Sequence, residues 1–291
     1  MDELGYLSLL EETLNEGFKK HTRNGYTYST FGALLKFNIL DSFPLLTTKK
    51  VYFKGIVEEL LWFLRGSTNS KELEDKNVNI WKGNSTREYL DSVGLTDYEE
   101  GELGPIYGFQ WRNFGGNYKE DLKDGVDQLR YLLEELEKSD NSRRALISAW
   151  NPQQLKEQAL PPCHVLYCFN KEEDNKLNCM MFMRSSDLFL GLPFNIASTA
   201  LFTYIIAKVM YMKPNKIAIN ITDCHIYEEH LHQVDVQLSR TPKEFPQLNI
   251  KKHIDENLSI DEKIKWIEEL TYDDIEIVNY QCYDALKAPM K

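Results

Sequence analysis

The 291 residues carry 34 Lys+Arg against 45 Asp+Glu, a formal net charge of −11, which argues against a protein that coats nucleic acid or lies on an anionic membrane. A hydrophobic fraction of 42% with 12% aromatic residues is ample for a sizeable core. Five cysteines (163, 168, 179, 224 and 282) form no C-x-x-C pair, and the acidic start Met1-Asp2-Glu3 lacks the basic region of a signal peptide, so a reduced, cytoplasmic protein is expected.

In chain order, Leu7, Leu10, Leu14 and Phe18 put one apolar face on a helix over Leu4 to Lys19. His21-Thr22-Arg23-Asn24-Gly25 is a turn with a cation in it, and Leu34 to Ile39 reads as a strand before the turn Phe43-Pro44-Leu45. Gly55 to Arg65 is a helix carrying Glu58 and Glu59 directly before Leu60-Leu61-Trp62-Phe63. Residues 82 to 103 are acidic and polar and read as an insertion or partly exposed loop. Gly104 to Trp111 is a turn followed by an aromatic cluster, and from Val126 the residues Leu129, Leu132, Leu133 and Leu136 make an amphipathic helix. Strands are expected over Ala145 to Trp150, Val165 to Phe169, Lys176 to Met183, Lys216 to Ile221 and Gln247 to Lys251. Helices are expected over 194–212, 228–240 and around Trp266. The apolar run Ile196 to Met212 contains Ser198, Thr199 and Lys208 and reads as a buried core helix rather than a membrane span. Strands and helices mix without strict alternation, so the class is α+β, and the absence of a repeat or low-complexity linker favours one domain over 1–291.

The stretch from Leu160 to Asn195 carries the chemistry. Two prolines fix the backbone before Cys163, which therefore sits at the start of a strand where a side chain can face a cleft. Arg184 and Ser185 end the next strand, and a guanidinium fork beside a hydroxyl suits a phosphate and favours a nearby thiolate. Asp187 adds an acceptor, Gly191 permits close approach of a flat ligand, and Asn195 offers an amide.

Leu160-Pro-Pro-Cys-His164, Arg-Ser-x-Asp at 184–187 and Gly-Leu-Pro-Phe-Asn at 191–195 together resemble the thymidylate synthase family, and the resemblance runs from about residue 4 to 291. It implies reductive methylation of dUMP with 5,10-methylenetetrahydrofolate as carbon and hydride donor. It also implies a layered fold around a large kinked mixed sheet, one face of which forms a homodimer interface. In that reading Cys163 is the nucleophile, and Glu59 organises water and proton transfers at the pyrimidine. Tyr107 lies near the nucleophile, and Asn195 bonds the base. The phosphate falls to Arg23, Ser185 and Arg184, with Arg143 and Arg144 donated across the dimer. His225 and Tyr227 hold the deoxyribose hydroxyl, and His164 counts among the substrate contacts. The folate falls to Lys49, Ile80, Trp81, Asp187, Leu190, Gly191 and Phe194, with Lys49 toward its polyglutamate tail.

Four departures from the family pattern stand out: Met183, Thr222, Gln281-Cys282-Tyr283-Asp284, and a shortened tail ending in Lys291. They keep open a hydroxymethylase acting on dUMP or dCMP, in which water captures the methylene. A catalytically silent homologue that binds RNA or a partner is the reading from another class. No metal is expected. Each Cys-His dipeptide (163–164, 224–225) lies where strand neighbours point to opposite faces, and His230 and His232 are badly spaced on a helix. The surroundings of Cys163 do not match a Cys-His protease signature either.

Overall fold

A computed structural model describes residues 3–120, 124–138 and 142–290. The strands are β1 (Phe18–Thr22), β2 (Gly25–Asn38), β3 (Leu146–Ser148), β4 (His164–Glu172), β5 (Lys176–Asp187), β6 (Lys213–Tyr227), β7 (Gln247–Ile250) and β8 (Ile275–Val278). The helices are α1 (Glu3–Glu16), α2 (Phe53–Leu64), α3 (Lys71–Glu74), α4 (Arg87–Ser92), α5 (Tyr107–Asn113), α6 (Gln128–Lys138), α7 (Gly191–Val209), α8 (Leu231–Leu238) and α9 (Ile260–Glu268).

Six strands form one sheet in the order β1-β2-β6-β5-β4-β3, antiparallel throughout except for the central parallel pair β5–β6. A parallel pair needs a crossover, and α7 supplies it by packing on β5 and β6. Its sequence is apolar all round, as befits a helix covered on every side, and Ile196, Ala200, Leu201, Phe202, Ile205 and Ile206 are fully buried. Among the described residues α7 is the helix long and apolar enough to cross a membrane, and it is the core of this fold. Register shifts near His164 and Leu177 bend the central strands, consistent with a kinked mixed sheet.

The other face of the sheet is open. Leu34, Asn220, Phe182 and Leu166 stand opposite one another across four strands, and the next row runs Lys36, Ala218, Met180 and Cys168. Met180 and Phe182 are 44% and 37% exposed, and Leu34 is 45% exposed. Leu34, Met180 and Phe182 thus put large apolar side chains on one uncovered surface. Arg184 follows Phe182 by two residues on β5, so it leaves the strand on that side, at the rim of the patch.

Several elements differ from the sequence reading. The first helix stops at Glu16, and Phe18 lies on β1, 61% exposed. At the exit Gly17 N–H still bonds Thr13 O at 3.1 Å, and a Cβ there would come within 2.3 Å of the same oxygen, so the passage into β1 is made on a glycine. Segment 82–103 carries α4 and is partly exposed, with Glu88, Asp91, Glu99 and Glu100 open to solvent. Leu90, Leu95, Tyr98 and Leu103 are buried, Arg87 binds the carbonyls of Leu95 and Tyr98, and Tyr98 Oη donates to Glu157 O at 2.7 Å. At its end Gly104 adopts φ +75° with Glu157 O 2.0 Å from a would-be Cβ, so no other residue fits. β5 and β6 run on past their expected ends to Asp187 and Tyr227, and β7 pairs with β8, a short Ile-Glu-Ile-Val strand not among those expected.

Candidate active site

A cleft of about 550 Å³ opens where β1, β2, β5 and β6 end beside the Pro161-Pro162 turn, lined among others by Arg23, Cys163, Arg184, Ser185, Asp187, His225 and Tyr227. Topology explains the gathering. Ser185 pairs with Asp223 and Asp187 with His225 across the parallel strands, while Thr27 pairs with Tyr227 across β2–β6. Arg23 and Asn24 form the two-residue turn of the β1–β2 hairpin, whose ends pair as Thr22 and Gly25.

Cys163 is fixed from three sides. Its N–H donates to Tyr107 Oη at 2.6 Å, its carbonyl accepts Arg184 N–H at 3.0 Å, and Arg184 Nη2 stands 3.7 Å from Sγ. The guanidinium also donates to Pro162 O at 2.8 Å and Pro161 O at 3.0 Å, carbonyls that the Pro-Pro turn leaves without ladder partners. Arg184 thus shapes the loop bearing the thiol as well as facing the cleft. Burial pushes the Cys163 thiol above its usual value, and the charges of Arg184 and Arg23 pull it back without winning. Arg184 therefore favours the thiolate, while enclosure of the sulfur works against it. Alkylation of Cys163 by iodoacetamide, followed by peptide mass spectrometry, should therefore keep accelerating above about pH 8.5, where a free cysteine thiol half-ionises. Arg184→Leu should move that rise further up, and a shift downward would refute the assignment.

Glu59 lies on α2 and accepts Trp81 Nε1–H at 2.8 Å. Burial raises its carboxyl to about 7, and the indole bond lowers it in part, which places the group where it can give or take a proton near neutrality. Trp81 is buried against Trp62, Phe63 and Tyr107 at centroid distances of 6.0 to 6.3 Å. Asp187 Oδ1 accepts the N–H groups of Phe189 at 2.9 Å and Leu190 at 3.2 Å, opening the turn into α7. A Cβ on Gly191 would meet Asp187 Cβ at 3.7 Å and Asn195 Oδ1 at 3.9 Å, ordinary contacts. No protein atom demands a glycine there, and the three residues share one corner with Leu190 and Phe194, all partly open to solvent. Ile80, next to Trp81, is partly open as well.

His164, Lys49, Arg143 and Arg144 do not line this cleft. His164 is not in the cleft: it is buried, stacked on Tyr107 at 4.0 Å with Nδ1 3.1 Å from Tyr167 Oη, and burial depresses it to about 3. It backs Tyr107 as a neutral ring. Lys49 does not reach outward to a folate tail, since it is 5% exposed with Nζ 3.5 Å from the Phe189 ring centroid and bonded to Phe189 O. Burial lowers its ammonium to about 7 and the charge of Asp187 raises it in part, while Lys50 beside it is exposed. Arg143 and Arg144 are exposed just before the edge strand β3, outside their own chain's cleft. Asn141, next to them, falls outside the described residues.

Lys20, Asn24, Thr27, Trp150 and Asp223 line the cleft without having been singled out. Asp223 accepts His225 Nδ1–H at 2.9 Å and pairs with Lys20; these two bonds hold its carboxyl below the usual range despite partial burial. A carboxylate at His225 Nδ1 leaves Nε2 for a ligand. The period of two through Asp223, His225 and Tyr227 was the available signal. Among the described residues no group of three His, Cys, Asp or Glu is placed to hold a metal ion.

Residues 4–291 match the family described as thymidylate synthase. A bifunctional dihydrofolate reductase-thymidylate synthase of Paramecium tetraurelia is 47% identical over 290 residues, 98% of this chain and 60% of that protein. A bifunctional relative from Zea mays is 47% identical over 271 residues, 90% of this chain and 52% of its own length. The thymidylate synthase of Homo sapiens is 42% identical over 293 residues, covering 99% of this chain and 90% of that one. The chain thus spans little more than half the length of the bifunctional relatives.

Proposed function

The chain belongs to the thymidylate synthase family, and from that premise we propose that it methylates dUMP to dTMP with 5,10-methylenetetrahydrofolate, releasing dihydrofolate. The observation that carries the reading is one thiol, Cys163, held 3.7 Å from a guanidinium in a cleft that also offers Arg23, Ser185, His225 and Tyr227. Addition of the Cys163 thiolate to C6 of uracil makes C5 nucleophilic, dividing one hard step into easier ones. Arg23, Ser185 and Arg184 take the phosphate, whose binding energy orients the ring. His225 Nε2 and Tyr227 Oη take the sugar hydroxyl, and the Asn195 amide takes the base. Glu59, poised near neutrality, moves protons at the pyrimidine through ordered water.

The folate, when bound, supplies both the carbon and the hydride. The residues present fit it. Asp187 has Oδ1 committed to backbone donors, which leaves Oδ2 for a pterin ring. Gly191 leaves room beside it, Trp81 closes the far wall, and Ile80, Leu190 and Phe194 supply apolar contact. Lys50 replaces Lys49 as the exposed cation toward a polyglutamate tail.

A homodimer built on the open sheet face belongs to the same proposal. Leu34, Leu166, Met180 and Phe182 would be covered there, Arg184 lies at that rim, and Arg143 and Arg144 would cross to the partner's phosphate site, an exchange that a two-fold axis makes reciprocal. Residues 1–291 act in this reading as one catalytic unit, and five free thiols support a cytoplasmic location.

The test incubates the purified chain with dUMP and methylenetetrahydrofolate, follows dihydrofolate by absorbance and weighs the nucleotide. Dihydrofolate and dTMP should appear in step. A hydroxymethyl nucleotide without dihydrofolate would instead identify a hydroxymethylase, and no reaction at all would point to a silent homologue.

A further inference from the structure

β1 carries two adjacent lysines that make similar ion pairs in different places. Lys19 pairs with Glu228 and lies 4.7 Å from the Tyr26 ring centroid, and neither member of that pair lines the cleft. Lys20 lines the cleft and pairs with Asp223 on β6, two strands away in the order β1-β2-β6. The side chains of Lys20 and Asp223 keep 31% and 32% of their surface exposed. An ion pair that open adds little to stability. Its consequence lies in where it holds the carboxylate.

Asp223 is the middle member of a chain of three. One oxygen, Oδ2, accepts from Lys20, and the other, Oδ1, is 2.9 Å from His225 Nδ1. These bonds keep the carboxyl ionised, and an ionised carboxylate only accepts, so Nδ1 carries the proton and Nε2 is left for the ligand. The His225 ring stands edge-on to Tyr227 at 5.3 Å, and its carbonyl accepts Leu188 N–H at 2.8 Å. Backbone and ring edge are therefore fixed, and the direction of Nε2 depends on Asp223. The terminal torsion of an aspartate is broad and roughly two-fold. Tying its second oxygen to Lys20 removes that freedom.

We propose that Lys20 is a positioning residue for the sugar: by fixing Asp223 it aims His225 Nε2 at the deoxyribose hydroxyl, and so makes the cleft select a nucleotide that carries this hydroxyl. The inference rests on the nucleotide reading given above. A site built to bond a hydroxyl rejects the analogue that lacks it, because its polar group is then left unpaired. That penalty is full only while the polar group is held in place. Once Lys20 is gone, Asp223 and the ring it orients can turn, and the hydroxyl is recognised less well.

The test measures dissociation constants for dUMP and for 2′,3′-dideoxyuridine monophosphate by calorimetry on the full chain. Wild type should prefer dUMP about tenfold, the scale of one hydrogen bond whose partner is otherwise stranded. Lys20→Met should reduce the preference to about threefold through weaker dUMP binding, with the dideoxy nucleotide within about twofold of wild type. Asp223→Asn keeps the shape and an acceptor for Nδ1–H but releases Lys20, so it should lose the same amount. The double variant should lose no more than either single one, since the two act as a unit. Lys20→Arg should restore the preference, and Lys19→Met, which removes the neighbouring ion pair, should leave it unchanged. Equal weakening of both nucleotides by Lys20→Met would overturn the proposal, since the pair would then only pin the hairpin that carries Arg23. An unchanged preference, or additive losses in the double variant, would overturn it too. Binding is read without turnover. A wild type that prefers dUMP tenfold yet forms no dTMP refutes the proposed reaction and leaves this assignment standing, whereas one that binds both nucleotides equally overturns the assignment and spares the reaction.

Discussion

Cys163→Ala will make no detectable dTMP, a loss of roughly 10⁴-fold or more in kcat, while dUMP still binds within a few-fold of wild type. The asymmetry follows from the geometry. The phosphate and sugar contacts assigned to Arg23, Ser185, His225 and Tyr227 do not depend on the sulfur, and Arg184 stays anchored by the carbonyls of Pro161 and Pro162. Removing one sulfur deletes the covalent step and spares the binding surface. Cys163→Ser tests the softness of the nucleophile: a serine hydroxyl, far from ionised in an enclosed site, should rescue almost nothing. The checks are single-turnover product analysis and a dUMP titration. Retention of even a tenth of the wild-type rate by Cys163→Ala would remove the thiol from the mechanism.

Changing both Arg143 and Arg144 to Ala will raise the KM for dUMP about 100-fold, the scale of two lost charge-assisted hydrogen bonds. These residues are exposed, and neither lines its own chain's cleft, so an effect of that size requires a partner subunit. Mixing settles the point. When Arg143→Ala/Arg144→Ala chains and Cys163→Ala chains are unfolded and refolded together in equal amounts, about half of the dimers are mixed. Each mixed dimer then holds one site with an intact thiol and intact arginines, so about a quarter of wild-type activity should return at low dUMP. If the arginines serve their own chain, or serve nothing, the mixture will be no more active than its components.

The sequence announced the α+β class, the core helix and the cluster around Cys163 because these depend on local order. Pro-Pro before a cysteine and an apolar run behind Pro193 can each be read within a few residues. What it hid depends on tertiary placement. β6 seemed to stop at Ile221 because Asp223 and His225 are polar, yet a strand bordering a cleft carries such residues on one face, and Tyr227 continues the alternation. Phe18 has the right spacing for the first helix, but the chain passes through Gly17 into β1, where Phe18 pairs with Ser29. Lys49 and His164 were placed by resemblance alone. Their burial under Phe189 and behind Tyr107 comes from packing between segments far apart in the chain, which no local pattern reports. Within 82–103 the acidic residues stay largely exposed, and the spaced apolar residues Leu90, Leu95, Tyr98 and Leu103 anchor the segment, a packing that composition alone does not report.

The pairing of β2 with β6 also bears on how the molecule is made. Lys20 meets Asp223 across 203 residues of chain, and Arg23 in the same hairpin faces a cysteine contributed by the third quarter of the sequence. Contacts that distant carry a large loop-closure cost and form after local ones. During synthesis the β1–β2 hairpin must wait, one edge unpaired, until most of the protein has left the ribosome. The cleft is thus among the last things this chain acquires, and the uncovered β2 edge is where a nascent or partly folded molecule is open to mispairing and to chaperone capture.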